Sequence, residues 1–560
     1  MNGISVIKRW KKISSLLPLL AITACGGGGG GGGSVAVVDG TNQLKTGYFT
    51  DSPVSGLTYN TASQSGITDS DGTFTYKEGE SITFSVGDTT IGEPVLAVST
   101  MTPLTITPNA ELYTTASQLN HTLNTRGVKQ DGLHKFINIL IFLQTLDEDA
   151  DASNGITIAP EVANRFIGIQ IQFDRSFYDF LYQNPKLKSI SYAAVNAGEI
   201  SSGELIPAGQ ALDHFYTIQN ISYSAAIANM VSVDSNADGI ADQIYNYSFD
   251  ARGNRVSFNR DSNGDGVSDK ITTLVYDDKG HEVSASSDDN ADGIPDSVTT
   301  RSYGAYGNLT SRSIDEDANG TVDDFRTFIY DDSGNLIEKR RDNNADGTFD
   351  SITIEVYDDN GNVLTSSIDS NADTIIDSVT TNSFNENGKQ ISYSNDSDAD
   401  GTPNRLALYI YDDNENLILI RRDDNGDGTT DSITTNTHDV NGNTTSRSRD
   451  NDADGIADEI DTYQFDSNGN LTSITRDSNA DGVADDITTF SYDLNNNQLS
   501  ESRDRDVDGV TDDTLSSTFD SDGNVISQEE DVGADGTVDE IITYFYIDAT
   551  WTAAIASQVN

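Results

Sequence analysis

The sequence predicts a mainly β protein in three parts: a small N-terminal β-sandwich, a helical middle domain and a C-terminal array of twelve 27-residue β-hairpin repeats. Three observations predict it. From residue 234 an acidic nine-residue segment returns at every 27th position. Between its copies lie β-branched and aromatic residues broken by glycine turns, the composition of strands. Helical spacing of apolar residues is confined to the stretch between 109 and 220. The expected boundaries are 1–24, 25–46, 47–105, 106–230 and 231–560.

Charge narrows the function classes. The chain has 560 residues, with 33 Lys plus Arg against 90 Asp plus Glu, a formal charge of −57. Its hydrophobic fraction of 35% is below the roughly 45–50% of ordinary globular proteins. Such an excess opposes compaction unless the segment is disordered or binds cations. It also excludes DNA and RNA as partners, because phosphate binding needs clustered Lys and Arg.

The N-terminus carries Lys8, Arg9, Lys11 and Lys12, then an apolar run from Ile13 to Ala24. That is the layout of a secretory signal, too short to span a bilayer. The run ends in Ile22-Thr23-Ala24-Cys25, and Cys25 is the only cysteine, so no intrachain disulfide can form. The stretch resembles the lipobox of bacterial lipoproteins. The resemblance implies lipidation of Cys25, removal of residues 1–24 and anchoring to a membrane. Gly26 rather than Asp follows the cysteine; by the same resemblance this favours the outer membrane of a Gram-negative cell, at its surface. Gly26 to Gly33 read as a flexible tether.

Residues 47–105 alternate in short runs. An Asp71-Gly72 turn between Ile67/Thr68 and Phe74/Tyr76 predicts a hairpin. Val54, Leu57, Tyr59, Phe74, Tyr76, Ile82, Phe84 and Val86 supply the candidate core. The string SGITDSDGTFTY followed by GE is similar to transthyretin-like and carboxypeptidase-regulatory-like modules, which implies a spacer or binding domain. In 106–230, Phe136, Ile137, Ile139, Leu140, Leu143 and Leu146 fit a helix, and Phe166–Leu181 predicts another. Between them Asp147, Asp149 and Asp151 stand at i, i+2 and i+4, the opening of a calcium loop. Ala152 and Ile158 then replace the glycine and the glutamate such a loop requires, so the expected role is a polar helix-ending loop.

In the repeat, position 1 is always Asp, position 3 usually Asn or Asp, position 5 Asp except at Asn319, position 6 Gly except at Thr374, and position 9 Asp except at Asn404. Oxygens at 1, 3, 5 and 9 with glycine at 6 match the first nine places of an EF-hand loop, and hard oxygen donors select Ca²⁺. The predicted ligands are Asp234, Asn236, Asp238 and Asp242; Asp261, Asn263, Asp265 and Asp269; Asp288, Asn290, Asp292 and Asp296; and Asp315, Asp317, Asn319 and Asp323. They continue through Asp342, Asn344, Asp346 and Asp350; Asp369, Asn371, Asp373 and Asp377; Asp396, Asp398 and Asp400; and Asp423, Asn425, Asp427 and Asp431. The last are Asp450, Asp452, Asp454 and Asp458; Asp477, Asn479, Asp481 and Asp485; Asp504, Asp506, Asp508 and Asp512; and Asp531, Asp535 and Asp539. The D-x-[DN]-x-D-G-x-x-D string resembles the loops of thrombospondin type 3 repeats. Position 12, a bidentate Glu in an EF-hand, holds Tyr245, Thr272, Thr299 or Thr353. A neighbouring repeat or water is therefore expected to complete the shell, with weak affinity.

The rest of the unit is strand and turn. Position 11 is apolar (Ile244, Ile271, Val298, Phe325, Ile352), and position 16 is Phe or Tyr except at His438. Tyr357-Asp358-Asp359-Asn360-Gly361-Asn362 is similar to the YD repeats of Rhs-type proteins, which implies hairpins wound into a shell. Twelve units look too few to close such a shell. An open curved ribbon of about 115 Å is expected, each repeat adding about four core side chains; a β-solenoid is the alternative.

No G-x-S-x-G, H-E-x-x-H or P-loop occurs, and no catalytic residues are predicted. The expectation is a calcium-binding surface lipoprotein, structural or adhesive, meeting an unidentified surface or matrix ligand. An envelope- or glycan-binding module in 47–230 is the alternative, a secreted hydrolase the less favoured one.

Overall fold

The computed structural model describes residues 43–550, apart from 116–117, 120–121, 123–127, 183, 251, 305–306, 332–333, 359–360 and 387. The expected signal, Cys25 and its glycine run lie outside the described residues.

The N-terminal part opens with β1 (Leu44–Phe49), β2 (Val54–Ser55), β3 (Thr58–Thr61), β4 (Ser65–Ile67), β5 (Thr73–Lys77), β6 (Ser81–Val86), β7 (Thr89–Leu96) and β8 (Thr100–Met101). All but β2 form two small sheets, β5-β1-β8 and β4-β3-β6-β7. Strand β6 alternates as a two-sided strand should, with Ile82, Phe84 and Val86 buried. Phe84 packs on Phe49 at 4.7 Å and on Phe74 at 5.4 Å. All eight candidate core residues are buried.

The Asp71-Gly72 turn is not a hairpin. Strand β4 pairs with β3, and β5 pairs with β1, so the turn carries the chain from one sheet to the other. Thr68 sets this: its buried hydroxyl accepts from Leu57 N at 3.0 Å and donates to Val54 O at 2.7 Å, fixing the end of β4 in its own sheet.

Helix α1 (Val128–Thr145) follows, then β9 (Ile156–Thr157), α2 (Pro160–Asn164), α3 (Phe177–Tyr182), α4 (Pro185–Asn196) and α5 (Ala208–Ile218). Phe136, Ile137, Ile139, Leu140 and Leu143 in α1, and Leu146 just past it, are fully buried, as in a helix surrounded by its own domain. The long helix expected over Phe166–Leu181 is not formed, and only α3 overlaps that span. Gly168 has φ +75°, which a right-handed helix cannot use. The irregular stretch brings Phe166 and Phe173 against Phe142 at 5.3 and 5.2 Å.

From β10 (Ala225–Asp234) through β11 (Gln243–Phe249) and β12 (Arg255–Asp261) to β33 (Glu540–Ala549), twenty-four antiparallel strands follow one another. They close into a barrel, β33 pairing with β10 from Ala225↔Ala549 to Asp234↔Ile541. The open ribbon and the solenoid are both overturned. Register explains closure. Tyr245 faces Arg260, and Arg260 faces Lys270, two residues before Thr272, the equivalent of Tyr245. A stagger of two residues per strand pair sums around the ring to the strand number, the condition under which strands tilt by about 36°. Such a barrel is about 45 Å across at the backbone. A bulge recurs on each hairpin, as between Ser248 and Phe249, and adds local twist.

The expected four core side chains per repeat are not found. Among the described barrel residues, the buried apolar side chains are Ala225 and Ile227, beside the N-terminal part, and Ala407. The N-terminal part lies across the mouth formed by the tyrosine-aspartate turns and is called the cap below. Ser224 Oγ donates to Asp522 at 2.6 Å, and Lys279 pairs with Glu204 at 2.7 Å. Phe249 and Ala549 pack onto the cap core. The acidic loops ring the opposite mouth.

Candidate metal centres

Each acidic loop joins one strand to the next through two left-handed positions. In the first, Ala237 has φ +52° and Gly239 φ +88°. A Cβ at Gly239 would meet nothing within 4 Å, so position 6 needs glycine for its φ and not for space. Thr374, at φ +75°, bears that strain.

The carboxylates organise the turn. Asp234 Oδ2 accepts from Gly239 N at 2.7 Å, and in all twelve loops position 1 accepts from the position 6 N–H at 2.7–2.9 Å. Position 5 accepts from the position 7 N–H, as Asp238 does from Ile240 at 2.9 Å and Asp265 from Val267 at 2.9 Å. Position 9 accepts from the position 2 N–H, as Asp242 does from Ser235 at 2.9 Å. Asn319 and Asn404 make the same bonds at positions 5 and 9. An amide therefore suffices for the turn, yet the other eleven copies at each position use Asp. The hydrogen bonds do not explain that preference.

Burial separates the positions. Asp234, Asp261, Asp288, Asp342, Asp369, Asp396, Asp423, Asp450 and Asp477 are all buried, whereas positions 3 and 5, such as Asn236 and Asp238, face solvent. Burial pushes the Asp261 carboxyl up, but four backbone N–H groups outweigh it and hold the group below its ordinary value. Hydrogen bonds from Asn319 and Thr429 likewise hold Asp317 and Asp427 down.

Where position 3 is also Asp, three carboxylates converge. Asp315, Asp317 and Asp323; Asp396, Asp398 and Asp400; Asp450, Asp452 and Asp458; and Asp504, Asp506 and Asp512 each bring one oxygen within 4.8 Å of the others. Ligands on one Ca²⁺ at about 2.3–2.6 Å can stand no further apart than about twice that distance. The all-oxygen donor set and its spacing therefore fit a hard divalent cation.

Position 12 does not contribute. It lies in the strand, and Tyr245 donates its hydroxyl to Gln243 at 2.7 Å. The carboxylate at that place, Asp461, is taken by Arg449 and Arg476. Neighbouring repeats touch the loops through position 10, but with cations in two cases: Lys270 reaches Asp289 and Arg405 reaches Asp424, both at 2.7 Å. Asp324 and Asp486 at position 10 are held by Arg326, Arg341 and Arg503. One neighbouring carboxylate does reach a loop: Asp513, at position 10, accepts from Gly533 N at 3.3 Å, where position 3 is Gly instead of Asn or Asp.

Asp147 and Asp149 touch through their side chains, and Asp149 also accepts from Asp151 N at 3.0 Å. Asp147 accepts from Thr157 N at 2.8 Å, Asp149 from Asn154 Nδ2 at 2.9 Å, and Asp151 caps the turn 152–154. Burial lifts Asp147 to about 6. His214 Nε2 lies 3.2 Å from Ser52 Oγ, and Ser52 is 1% exposed.

The two strand faces differ. Along β11, residues 243, 245, 247 and 249 are half-buried, while 246 and 248 are exposed. The half-buried face carries the position 16 aromatics with Arg–carboxylate pairs; the other carries the apolar position 11 ring among Ser and Thr, with Val275, Ile354, Val356, Leu408 and Ile410 exposed. Tyr357, Asn436 and Arg447 of the first face line cavities that cap residues close, so this face looks into the lumen.

No protein-family model matches the chain, and no curated protein matches it. Among solved structures, the crystal structure of TcdB2–TccC3–Cdc42 is similar at 14% identity over 53% of this chain, with a TM-score of 0.28. This chain spans 17% of that one. A porin-like protein from Bacteroides uniformis is similar at 14% identity over 50% of this chain and 96% of that one, with a TM-score of 0.19. TM-scores this low carry no argument about role.

Proposed function

We propose that this chain is a calcium-binding surface lipoprotein in which divalent cations stiffen a closed barrel that serves a structural or adhesive role. The observation that carries this is the convergence of carboxylate triads in four of the loops that ring one mouth, where the turn chemistry alone accepts amides. Each loop has three or four acids and, Arg505 apart, no base. Loops recur every second strand, about 10 Å apart, close to one Debye length at physiological salt. Neighbouring loops therefore repel, and a divalent cation in each relieves both the local and the ring-wide repulsion. With the cap across the other mouth, the barrel becomes a cup with a cation-dependent rim.

A lipid-spanning channel is disfavoured by both faces. A membrane barrel needs an outward apolar band about 25 Å tall, and here the lumen face carries Arg, Asp and Glu while the outward face has a single apolar ring at position 11 and scattered Val, Ile and Leu among Ser and Thr. Attachment through Cys25, as the lipobox resemblance implies, places the cup on the outer membrane without inserting it. No catalytic role is assigned.

Equilibrium dialysis of the whole protein against Ca²⁺ tests the reading. Several weak sites with Kd of about 10⁻⁴–10⁻³ M are expected; no uptake at 5 mM Ca²⁺ (about five times the weak limit of that range) would contradict it. Cys25→Ser should release the protein from membranes.

A further inference from the structure

A cavity of about 970 Å³ opens where the cap meets the barrel, at the upper end of the size range of small-ligand sites, about 300–1,000 Å³. Lys135 and Asp174 line it from the cap, and Tyr411, Asn436, His438 and Asn441 from the barrel. It coincides with the one repeat whose position 16 is neither Phe nor Tyr.

That coincidence has a structural basis. A position 16 tyrosine fastens its repeat to the preceding one: Tyr330 donates to Leu309 O at 2.9 Å, Tyr357 to Leu336 O at 2.8 Å and Tyr411 to Gln390 O at 2.9 Å. At His438 the equivalent carbonyl, Leu417 O, is bonded instead by Asn436 Nδ2 at 3.0 Å. Asn382 does the same for Val363 O at 3.0 Å beside Phe384. The imidazole is thus relieved of the fastening role. Both His438 Nδ1 and Asn436 Oδ1 are buried without a hydrogen-bond partner, a costly condition that a ligand hydroxyl or an ordered water offsets.

The wall chemistry selects the ligand class. Lys135 is neutralised between Glu93 at 3.4 Å and Asp174 at 3.1 Å. Lys389 and Arg447 are matched in number by Glu415 and Asp439 on the same walls, and between these charges the lining is amide-rich: Asn109 from the cap and Asn414, Asn436 and Asn441 from the barrel. Side-chain amides pair a donor with an acceptor, which matches neighbouring hydroxyls better than it matches an ion. The Tyr411 hydroxyl is spent on Gln390 O, leaving its ring as an apolar wall.

We infer that this cleft binds a neutral oligosaccharide, shared between cap and barrel so that neither holds it alone. The site is independent of the acidic rim. The test is an array of neutral gluco-, galacto- and chito-oligosaccharides probed with the full chain in excess chelator, followed by titration calorimetry of those retained. At least one should bind. His438→Tyr restores the repeat's own fastening residue, so it should keep or raise thermal stability while weakening binding tenfold or more; Asn441→Ala should weaken it as well. Failure of every oligosaccharide to bind, retention that requires calcium, or undiminished binding by His438→Tyr would each overturn the inference.

Discussion

The cap and the barrel solve the same folding problem by opposite means. The cap buries a continuous apolar cluster running from Phe49 to Tyr216 around α1. The barrel, with about three times as many strands as a small ligand-holding barrel needs, buries aspartates where the cap buries phenylalanines. Its strength lies in ladder hydrogen bonds, in Tyr-to-carbonyl fasteners between repeats and in carboxylates wrapped by backbone N–H groups. The difference teaches where each part is vulnerable. An apolar core is indifferent to ions; a ring of buried carboxylates is not.

The largest contrast is expected from core truncation. Phe142 meets Phe166 and Phe173 in edge-on contacts, and Phe142→Ala should destabilise the cap by about 3–5 kcal/mol in urea titration, with the effect unchanged by calcium or chelator. An equal loss in barrel segments would deny that the two parts differ. Asp342→Ala acts on the other side. Asp342 is 2% exposed and accepts from Asp346 N and Gly347 N. Its loss removes charge-assisted hydrogen bonds that hold the turn, at a cost of about 1.5–3 kcal/mol. The cost should fall on barrel segments, read by pulse proteolysis, and cap fragments should be unaffected.

Acid should separate the parts more gently. Burial raises Asp51 and Asp147 in the cap, Asp147 to about 6. A group raised above its unfolded value stabilises below that value and loses the contribution as pH rises through the folded one. The cap should therefore resist urea better at pH 5 than at pH 7. Asp261, Asp317 and Asp427 are lowered. Their contribution is present above the ordinary carboxylate range near pH 4 (about 3.9 for Asp) and lost as pH falls through the lowered values, so the barrel should weaken below pH 4. Both parts shifting together would contradict this.

Much of the barrel was legible because it is repeated. Twelve copies at one spacing revealed which oxygens recur, and the two glycine-bearing turns per unit marked the hairpins. Closure was not legible, because it depends on a two-residue stagger summed over every strand pair, which no single repeat discloses. Nor was the placement of Asp234 and its equivalents, which look solvent-exposed in sequence but are covered by their own loops. The chain passing between sheets at Asp71-Gly72 was hidden because the Thr68 hydroxyl, not the turn, decides it. His438 did stand out as a break in the pattern. Its meaning needed Asn436, two residues away on the same strand face, and the cap above it.

The account rests on calcium ordering the barrel and leaving the cap alone. Hydrogen exchange by mass spectrometry on the whole protein, in millimolar Ca²⁺ and in excess chelator, measures this region by region. Slower exchange in calcium is predicted for the loops and strands of residues 231–549, with α1 and the cap sheets unchanged. Identical exchange of the loops in calcium and in chelator would contradict it.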